Sequence, residues 1–324
     1  MKKILFTGGA GYIGSHTIHY FLKNGYSLDQ LIVFDNLKYG HRESLPEGIQ
    51  IIKGDLLNVD AIEEVFIKNE IESVLHFAAY AYVGESMKNP SLYFNNNVNG
   101  GLNLLESMRK HSCNKIVFSS SCAIYGQPEY LPIDEESVKK PINPYGESKL
   151  IFERYLHWYD QIYGIKSISM RYFNAAGAAY GIGELHDPET HLIPLIFDVV
   201  FEKTKEINVF GNSYSTKDGT CIRDYIHVLD LAEGHLKALE YLKKTKKSNY
   251  FNLGTGKGNS ILEIIRIIEE VSKKNIRINF CKERLGDPAI LVANPDKAEK
   301  LLDWKAKKNM LNIIQDVFDW QNHS

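Results

Sequence analysis

The stretch Thr7–Gly14, TGGAGYIG, decides the fold of this chain. It places Gly8, Gly11 and Gly14 at G-x-x-G-x-x-G spacing, directly after a short apolar run and before a segment with helical periodicity. Glycines at a strand-to-helix turn let the backbone approach a pyrophosphate, and the N-terminus of the helix attracts its charge. The stretch predicts a dinucleotide-binding unit, although a glycine-rich turn without a ligand has the same composition.

The segments that follow extend this unit into a sheet. Apolar strands alternate with helices up to residue 174, in the runs KKILFTGG, LIVFD, IQIIKGD, SVLHFAA, KIVFSSS and KSISMRYFN. Continuous apolar strands are typical of a parallel sheet covered on both faces. We therefore predict an α/β protein with a Rossmann-type, doubly wound parallel sheet.

The composition changes after Asn174, where AAGAAYGIGELHDPET is rich in glycine and alanine. We predict an NAD-binding domain over residues 1–174 and a smaller, mixed α/β domain that binds the substrate over residues 175–324. The later run YFNLGTG is expected to return a strand to the first domain.

Composition and charge exclude several classes of protein. The chain has 324 residues and a formal net charge of −2, so no overall field attracts it to nucleic acid or to a membrane. No apolar run approaches the roughly 20 residues that a membrane-spanning helix needs. The four cysteines form no C-x-x-C pair, which favours reduced thiols in a cytoplasmic protein. No Cys/His group has metal-binding spacing, so no metal site is predicted.

Two carboxylates follow predicted strands. Asp35 ends the second strand, 21 residues after Gly14, where a carboxylate accepts a hydrogen bond from a ribose hydroxyl and repels a 2′-phosphate. This position favours NAD over NADP. Asp55 ends the third predicted strand and lies within reach of an adenine, although a turn or N-cap residue is the more common role there.

The stretch Asn143–Leu150, NPYGESKL, predicts a catalytic pair. Asn143 can cap a helix that begins at Pro144, and Tyr145 and Lys149 then share a helical face. An ammonium beside a phenol lowers the phenol pKa from about 10, so that the phenolate can take a proton from a sugar hydroxyl. On a surface helix such a pair is ordinarily without function, but here it follows a nucleotide-binding sheet.

A serine run precedes this pair. FSSSCAIYG places Ser121 at the carboxyl end of the fifth predicted strand, which is where substrates bind in open parallel sheets. We expect Ser121 to share the proton of the substrate hydroxyl with Tyr145. Serines at strand ends are also common turn formers, and this is the alternative role for Ser119 and Ser120.

These motifs resemble the extended short-chain dehydrogenase/reductase superfamily and, within it, the UDP-glucose 4-epimerase family. The resemblance also rests on FDNL, VGES, NNVNG, RYFNAAGA, DGTCIRDYIHVLDLAEGH, NLGTGKGNS and RLGDPA, and it extends from about Lys3 to about Trp320. It implies a tightly held NAD, a UDP-sugar substrate and interconversion of the glucose and galactose configurations through a transient 4-keto sugar. It also implies a homodimer that pairs through helices near 93–111 and 145–162.

The resemblance assigns roles to individual residues. Tyr145, Lys149 and Ser121 match the catalytic positions. The positions that match cofactor contacts are Gly8, Gly11, Tyr12, Ile13, Gly14, Asp35, Asn36, Asp55, Leu56, Phe77, Ala78, Asn96, Lys149 and Phe173. The positions that match UDP-sugar contacts are Ser121, Tyr145, Asn174, His191, Leu192, Phe210, Arg223, Arg284, Asp287 and Leu291.

Three positions depart from the family pattern. Ala81 stands where many relatives have a lysine near the cofactor, which removes one donor to NAD. His191 stands where an asparagine often contacts the substrate, so its imidazole either replaces that contact or packs at a helix start. Leu291 stands at the position that gates the sugar pocket, where the usual bacterial residue is tyrosine. A smaller gate predicts activity on N-acetylated UDP-sugars as well.

Three alternatives share the fold. A nucleotide-sugar 4,6-dehydratase needs an Asp-Glu pair after the strand serines, and this chain has Cys122 and Ala123 there. An NAD-linked sugar dehydrogenase would release its cofactor, and the match in the second half of the chain argues against it. A non-catalytic, NAD(H)-responsive binding protein usually lacks the tyrosine or the lysine, and both are present here.

Overall fold

The computed structural model describes residues 2–284 and 287–323. The strands in this part are β1 (Lys3–Thr7), β2 (Leu31–Asp35), β3 (Gln50–Lys53), β4 (Ile71–His76), β5 (Lys115–Ser121), β6 (Lys166–Tyr172), β7 (Asn174–Ala176), β8 (Ile207–Phe210), β9 (Ile222–His227), β10 (Asn249–Leu253), β11 (Gly258–Ser260), β12 (Ile278–Cys281) and β13 (Ile290–Leu291). The helices are α1 (Tyr12–Lys23), α2 (Val59–Lys68), α3 (Val83–Lys88), α4 (Pro90–Tyr93), α5 (Gly100–Lys110), α6 (Pro144–Tyr163), α7 (Leu192–Val200), α8 (Val228–Thr245), α9 (Ile261–Ser272), α10 (Asp296–Leu302) and α11 (Met310–His323).

A seven-stranded sheet forms the centre of the molecule, in the order β10-β6-β5-β4-β1-β2-β3. Every neighbouring pair in this sheet is parallel. From β1 the chain first adds β2 and β3 on one side, and then crosses over to add β4, β5 and β6 on the other side. The strand order therefore reverses between β1 and β4. Ligands bind outside the carboxyl ends of the strands at such a point. The predicted Rossmann-type sheet is confirmed.

The two faces of the sheet explain the continuous apolar strands. Phe6 of β1 belongs to a core beneath α1 and α8, whereas its neighbour Leu5 belongs to a core beneath α2, α5 and α6. Successive side chains of a strand point to opposite faces, so a strand covered on both sides must be apolar at every position. The central strands therefore show no polar alternation.

The later part of the chain builds a second, smaller core. Strand β9 pairs with β7, β11 and β13, and β8 pairs with β12. Helices α7, α9 and α11 pack on this region around Phe197, Ile265 and Ile314. Strand β10 lies beside β6 in the central sheet, and α8 packs against α1. We retain the division after residue 174 as a proposal, with β10 and α8 added to the NAD-binding part.

Within residues 2–284 and 287–323, no helix combines the length and the apolar character that a membrane crossing requires.

Candidate active site

The glycine loop between β1 and α1 is tightly packed. Gly8 has φ +71°, and a Cβ at this position would lie 2.4 Å from the backbone nitrogen of Ala78. A Cβ on Gly14 would lie 2.5 Å from the carbonyl oxygen of Gly8. Only glycine fits these positions, and the bare backbone leaves the N-terminus of α1 open to the cavity. This is the geometry that a pyrophosphate needs.

Asp35 is the last residue of β2 and is 7% exposed. Its carboxylate accepts hydrogen bonds from the backbone nitrogens of Ala10, at 3.0 Å, and Leu37, at 2.8 Å. Burial raises the pKa of Asp35, and these two donors oppose the shift. Each oxygen keeps a free lone pair for a ribose hydroxyl, and the carboxylate would repel a 2′-phosphate.

Asp55 lies two residues beyond the end of β3, not on the strand as its sequence suggested. Its Oδ2 accepts a hydrogen bond of 2.9 Å from Nδ2 of Asn36. Both residues line the cavity, next to Asp35. The Asn36–Asp55 bond therefore joins the ends of two neighbouring strands on the adenine side expected from the sequence.

Helix α6 begins as its sequence predicted. The Asn143 side chain accepts a hydrogen bond of 2.8 Å from the backbone nitrogen of Gly146, and Pro144 is the first helical residue. This start places Tyr145 and Lys149 on one face, with the Lys149 Nζ atom 5.8 Å from the centre of the Tyr145 ring. Lys149 also donates a hydrogen bond of 2.6 Å to the carbonyl oxygen of Ser119.

Electrostatics at this pair differ from the sequence-based expectation. Burial raises the pKa of Tyr145 to about 12, and the nearby Ser121 hydroxyl opposes this shift. Burial also lowers the pKa of Lys149 to about 7, against a small opposing effect of Glu153. Burial therefore sets the direction of the shift in the Tyr145 pKa, which is opposite to the direction expected from an adjacent ammonium.

Ser121 is the last residue of β5, and its Oγ accepts a hydrogen bond of 3.1 Å from the backbone nitrogen of Ala123. That bond leaves the hydroxyl hydrogen available to Tyr145 or to a substrate. Ser119 and Ser120 have structural partners instead: Ser119 contacts the Tyr172 hydroxyl, and Ser120 donates a hydrogen bond of 2.6 Å to Glu153.

Two arginines also line the cavity. Arg223 of β9 forms an ion pair with Asp287, and its side chain is 10% exposed. The guanidinium of Arg284 stacks over the Phe210 ring, with 4.1 Å between the guanidinium carbon and the ring centre. Two guanidinium groups suit a diphosphate, and the ring provides a flat apolar surface beside them.

Leu291 of β13 lines the same cavity. Strand β13 pairs with β9 so that Leu291 is aligned with Arg223. The side chain packs against a core that includes Cys122, Leu150 and Phe173. Its position is therefore suited to limit the space beside the catalytic pair.

All the residues proposed for the site line one cavity of about 1340 Å³. They are Gly8, Gly11, Tyr12, Ile13, Gly14, Asp35, Asn36, Asp55, Leu56, Phe77, Ala78, Asn96, Ser121, Tyr145, Lys149, Phe173, Asn174, His191, Leu192, Phe210, Arg223, Arg284, Asp287 and Leu291. Ala81 lines the same cavity.

The sequence analysis missed a group of side chains at the edge of this cavity. Glu184, His186 and Glu189 join His191 there, and ligand atoms of all four lie within 4.8 Å of one another. Burial by itself lowers the pKa of His191, but hydrogen bonds to Glu184 and Glu189 raise it to about 10. The spacing E-x-H-x-x-E-x-H in the sequence could have indicated this group, but it lies in a segment that was predicted to be a loop.

The glycine cradle, the strand-end carboxylate and the Tyr-Lys pair define a class: NAD-dependent Rossmann enzymes that act on a nucleotide-linked substrate. The NAD dependent epimerase/dehydratase family matches residues 4–254. The chain belongs to this family.

Relatives match the chain over nearly its full length. It is 46% identical to the UDP-glucose 4-epimerase of Rhizobium leguminosarum bv. trifolii, over 100% of this chain and 98% of that protein. It is 44% identical to the UDP-glucose 4-epimerase of Halalkalibacterium halodurans, over 98% and 95%. The crystal structure of the Brucella ovis UDP-glucose 4-epimerase in complex with NAD superimposes with a TM-score of 0.93, at 42% identity, covering 98% of this chain and 97% of that one.

Proposed function

We propose that the protein is an NAD-dependent UDP-glucose 4-epimerase, which interconverts UDP-glucose and UDP-galactose through a transient 4-keto sugar. The observation that carries this proposal is the position of Tyr145 and Lys149. They line the same cavity as the glycine cradle and Arg223. A phenol base, a dinucleotide site and a diphosphate site in one cavity are the parts that the reaction needs.

The residues present fit NAD. The bare backbone at Gly8 and Gly14 leaves room for the pyrophosphate at the start of α1, and Asp35 is placed for a ribose hydroxyl. Lys149, which donates a hydrogen bond to the Ser119 carbonyl group, would hold the nicotinamide ribose. When bound, NAD supplies the site that accepts the C4 hydride and later returns it.

Tyr145 carries the proton chemistry. Its phenol is neutral in the cavity because burial raises its pKa to about 12. A positive charge brought beside the ring lowers this pKa, and Lys149 provides one when it is protonated. Once the phenol has released its own proton to solvent, the phenolate accepts the proton of the 4-hydroxyl group, and Ser121 donates a hydrogen bond to the same oxygen.

The reverse step uses the same residues. After the keto sugar has turned over within the cavity, Tyr145 returns the proton to the C4 oxygen as hydride returns to the opposite face. Arg223 and Arg284 hold the UDP portion during this rotation, so the intermediate stays bound. No net oxidation occurs, and Tyr145 ends the exchange as the phenolate that began it.

The test is incubation of the purified protein with UDP-glucose in the absence of added NAD⁺, followed by chromatographic separation of the epimers. We expect UDP-galactose to accumulate up to an equilibrium mixture. A requirement for stoichiometric NAD⁺, with a keto sugar released, would instead identify a dehydrogenase.

The structure gives no support to the alternatives. Burial raises the pKa of Cys122 to about 12, so its thiol is a poor general acid or base near neutral pH, and Ala123 has no titratable group. A dehydratase needs an acid and a base at these positions. A non-catalytic binding protein has no need for the buried Tyr145–Lys149 pair, which costs folding free energy.

We also infer that the protein is a homodimer in the cytoplasm. Trp158 and Ile162 lie one turn apart on α6 and are 59% and 63% exposed. Large apolar side chains on one exposed helical face favour a symmetric contact with a second copy. The four cysteines, Cys113, Cys122, Cys221 and Cys281, are all free thiols, which suits a reducing compartment.

A further inference from the structure

The segment between β7 and α7 concentrates potential metal ligands. Glu184, His186, Glu189 and His191 each offer one ligand atom, and these four atoms all lie within 4.8 Å of one another. Nδ1 of His191 lies 2.9 Å from Oε1 of Glu184 and 2.8 Å from Oε1 of Glu189. Nδ1 of His186 lies 2.8 Å from the same oxygen of Glu184. Two imidazoles and two carboxylates therefore converge on one point.

The segment is anchored at this place by contacts outside the group. Nε2 of His16, in α1, lies 3.2 Å from the carbonyl oxygen of Ile182. Nε2 of His41, in the loop after β2, lies 2.9 Å from the carbonyl oxygen of Leu185. These contacts fix the group beside the start of α1, where the pyrophosphate cradle lies.

The buried carboxylates of the group need a balancing positive charge, which a protonated histidine or a metal ion supplies. The carboxylates of Glu184 and Glu189 are largely buried, with side-chain exposures of 8% and 16%. In residues 2–284 and 287–323, neither forms an ion pair with a lysine or an arginine, and histidines are their charged partners. Two buried carboxylates next to a pyrophosphate site are unfavourable unless a positive charge balances them.

A buried hydroxyl group adds an independent observation. Tyr82 is 7% exposed, and its hydroxyl has no hydrogen-bond partner among the described residues. Its ring centre lies 5.6 Å from that of His186 and 6.3 Å from that of His191. Both Glu189 and Glu184 act electrostatically on this phenol. An unpaired buried hydroxyl beside the carboxylates is suited to a water molecule held by a metal ion.

We propose that Glu184, His186, Glu189 and His191 bind one divalent transition-metal ion of the Zn²⁺ class. Imidazole and carboxylate ligands suit Zn²⁺, at roughly 2.0–2.2 Å from each ligand atom. Ligand atoms around such an ion are about 3.3 Å apart, so the three pairs now at 2.8–2.9 Å would separate slightly, and any pair near the 4.8 Å limit would close by about 1.5 Å. The ion ties the 184–191 segment together and leaves Nε2 of His191 as the nitrogen available to a substrate.

The test is a titration of tag-free, chelator-treated protein with Zn²⁺, followed by calorimetry. In parallel, Co²⁺ is added as a spectroscopic probe, and crystals soaked in Zn²⁺ are examined for anomalous scattering. We expect one ion per chain, a tetrahedral Co²⁺ spectrum and an anomalous peak between the four side chains. Zn²⁺ should also raise the melting temperature in a concentration-dependent way.

The variants Glu184→Gln and His186→Asn each remove one ligand and should weaken Zn²⁺ binding by about 100-fold or more. The matched control is His111→Ala, because His111 pairs with Glu63 at 2.8 Å on the opposite side of the molecule. Circular dichroism and NAD content show whether each variant folds. His186→Asn is the safer variant because the His186 side chain is more exposed than that of Glu184, at 21% against 8%.

The proposal is overturned if wild-type protein binds no Zn²⁺ in stoichiometric amount, in which case a proton on the histidines balances the carboxylates. It is also overturned if the ligand variants bind Zn²⁺ as tightly as wild type, or if the anomalous peak lies elsewhere. These readouts do not involve catalysis, so they are independent of whether the protein epimerises UDP-sugars.

Discussion

Lys149 approaches Tyr145 across one helical turn, with its Nζ atom 5.8 Å from the centre of the phenol ring. The same nitrogen is held by the carbonyl oxygen of Ser119 at 2.6 Å. Burial raises the pKa of the Tyr145 phenol and lowers the pKa of the Lys149 ammonium. Both shifts have the same cause, because burial disfavours the charged form of either side chain.

Replacing Tyr145 by phenylalanine removes the proton acceptor and keeps the ring. We expect kcat to fall by about 10²–10⁴, the usual contribution of a positioned acid–base group, with NAD content unchanged. Epimer formation is followed by chromatography. Tyr163→Phe, at the exposed end of the same helix, serves as the control and should retain full activity. Wild-type turnover in Tyr145→Phe would remove this residue from the mechanism.

Asp35 should select NAD over NADP. Its buried carboxylate lies where a 2′-phosphate would bring two more negative charges, and desolvation strengthens the repulsion. We expect nucleotide released from the denatured, purified protein to be NAD(H). Asp35→Asn should retain less NAD(H) after purification. Recovery of NADP(H) from wild-type protein would contradict the role given to this carboxylate.

Leu291 should decide whether N-acetylated sugars fit. It packs beside Phe173 and Cys122 at the sugar end of the cavity, and leucine occupies less space than tyrosine. We expect wild-type protein to epimerise both UDP-glucose and UDP-N-acetylglucosamine. Leu291→Tyr should retain turnover of the first and lose most turnover of the second, while Leu291→Met, which conserves volume, should retain both. If Leu291→Tyr loses both activities to the same extent, residue 291 does not select between the two sugars.

Buried histidines should make the fold sensitive to acid. Burial lowers the pKa of His76 to about 3 and that of His16, His227 and His235 to about 4. Each folded value lies below the unfolded value of about 6.5, so below pH 6.5 the unfolded chain binds protons that the folded chain does not. Stability is therefore present above pH 6.5 and is lost as the pH falls towards 4, by up to about 1.4 kcal/mol per pH unit for each histidine.

This dependence is measured by urea unfolding at several pH values between 7.5 and 5. His235→Leu offers a matched comparison, because Nε2 of His235 has no hydrogen-bond partner among the described residues. As the pH is lowered, the free energy of unfolding of this variant should fall less steeply than that of wild type. The difference in slope should correspond to about one bound proton, which is about 1.4 kcal/mol per pH unit. Identical slopes for the two proteins would show that His235 is not held neutral by the fold.

Trp158 and Ile162 should hold the dimer together. We expect wild-type protein to behave as a dimer in analytical ultracentrifugation. The double variant Trp158→Glu, Ile162→Glu should be monomeric, because it places charges in the middle of the apolar contact. Ile67→Glu changes an equally exposed isoleucine, 68% exposed on α2, and should leave the dimer intact. A dimer that survives the double variant would place the interface elsewhere.

The sequence by itself determined the sheet and the start of the site. Glycine spacing at Gly8–Gly14, the Asn143–Pro144 helix start and the i, i+4 spacing of Tyr145 and Lys149 are local signals. Each of them follows from backbone sterics or from the pitch of a helix, and the resemblance to a family identified the more distant site residues.

Only the tertiary structure decided the electrostatics of the site and the partners of distant residues. The pKa of Tyr145 depends on how much chain covers it, and burial reversed the shift expected from Lys149 alone. The pairing of Arg223 with Asp287 and the convergence of His186 with His191 depend on the path of irregular segments. Such paths have no periodic signal in the sequence, because they are set by long-range packing rather than by local propensity.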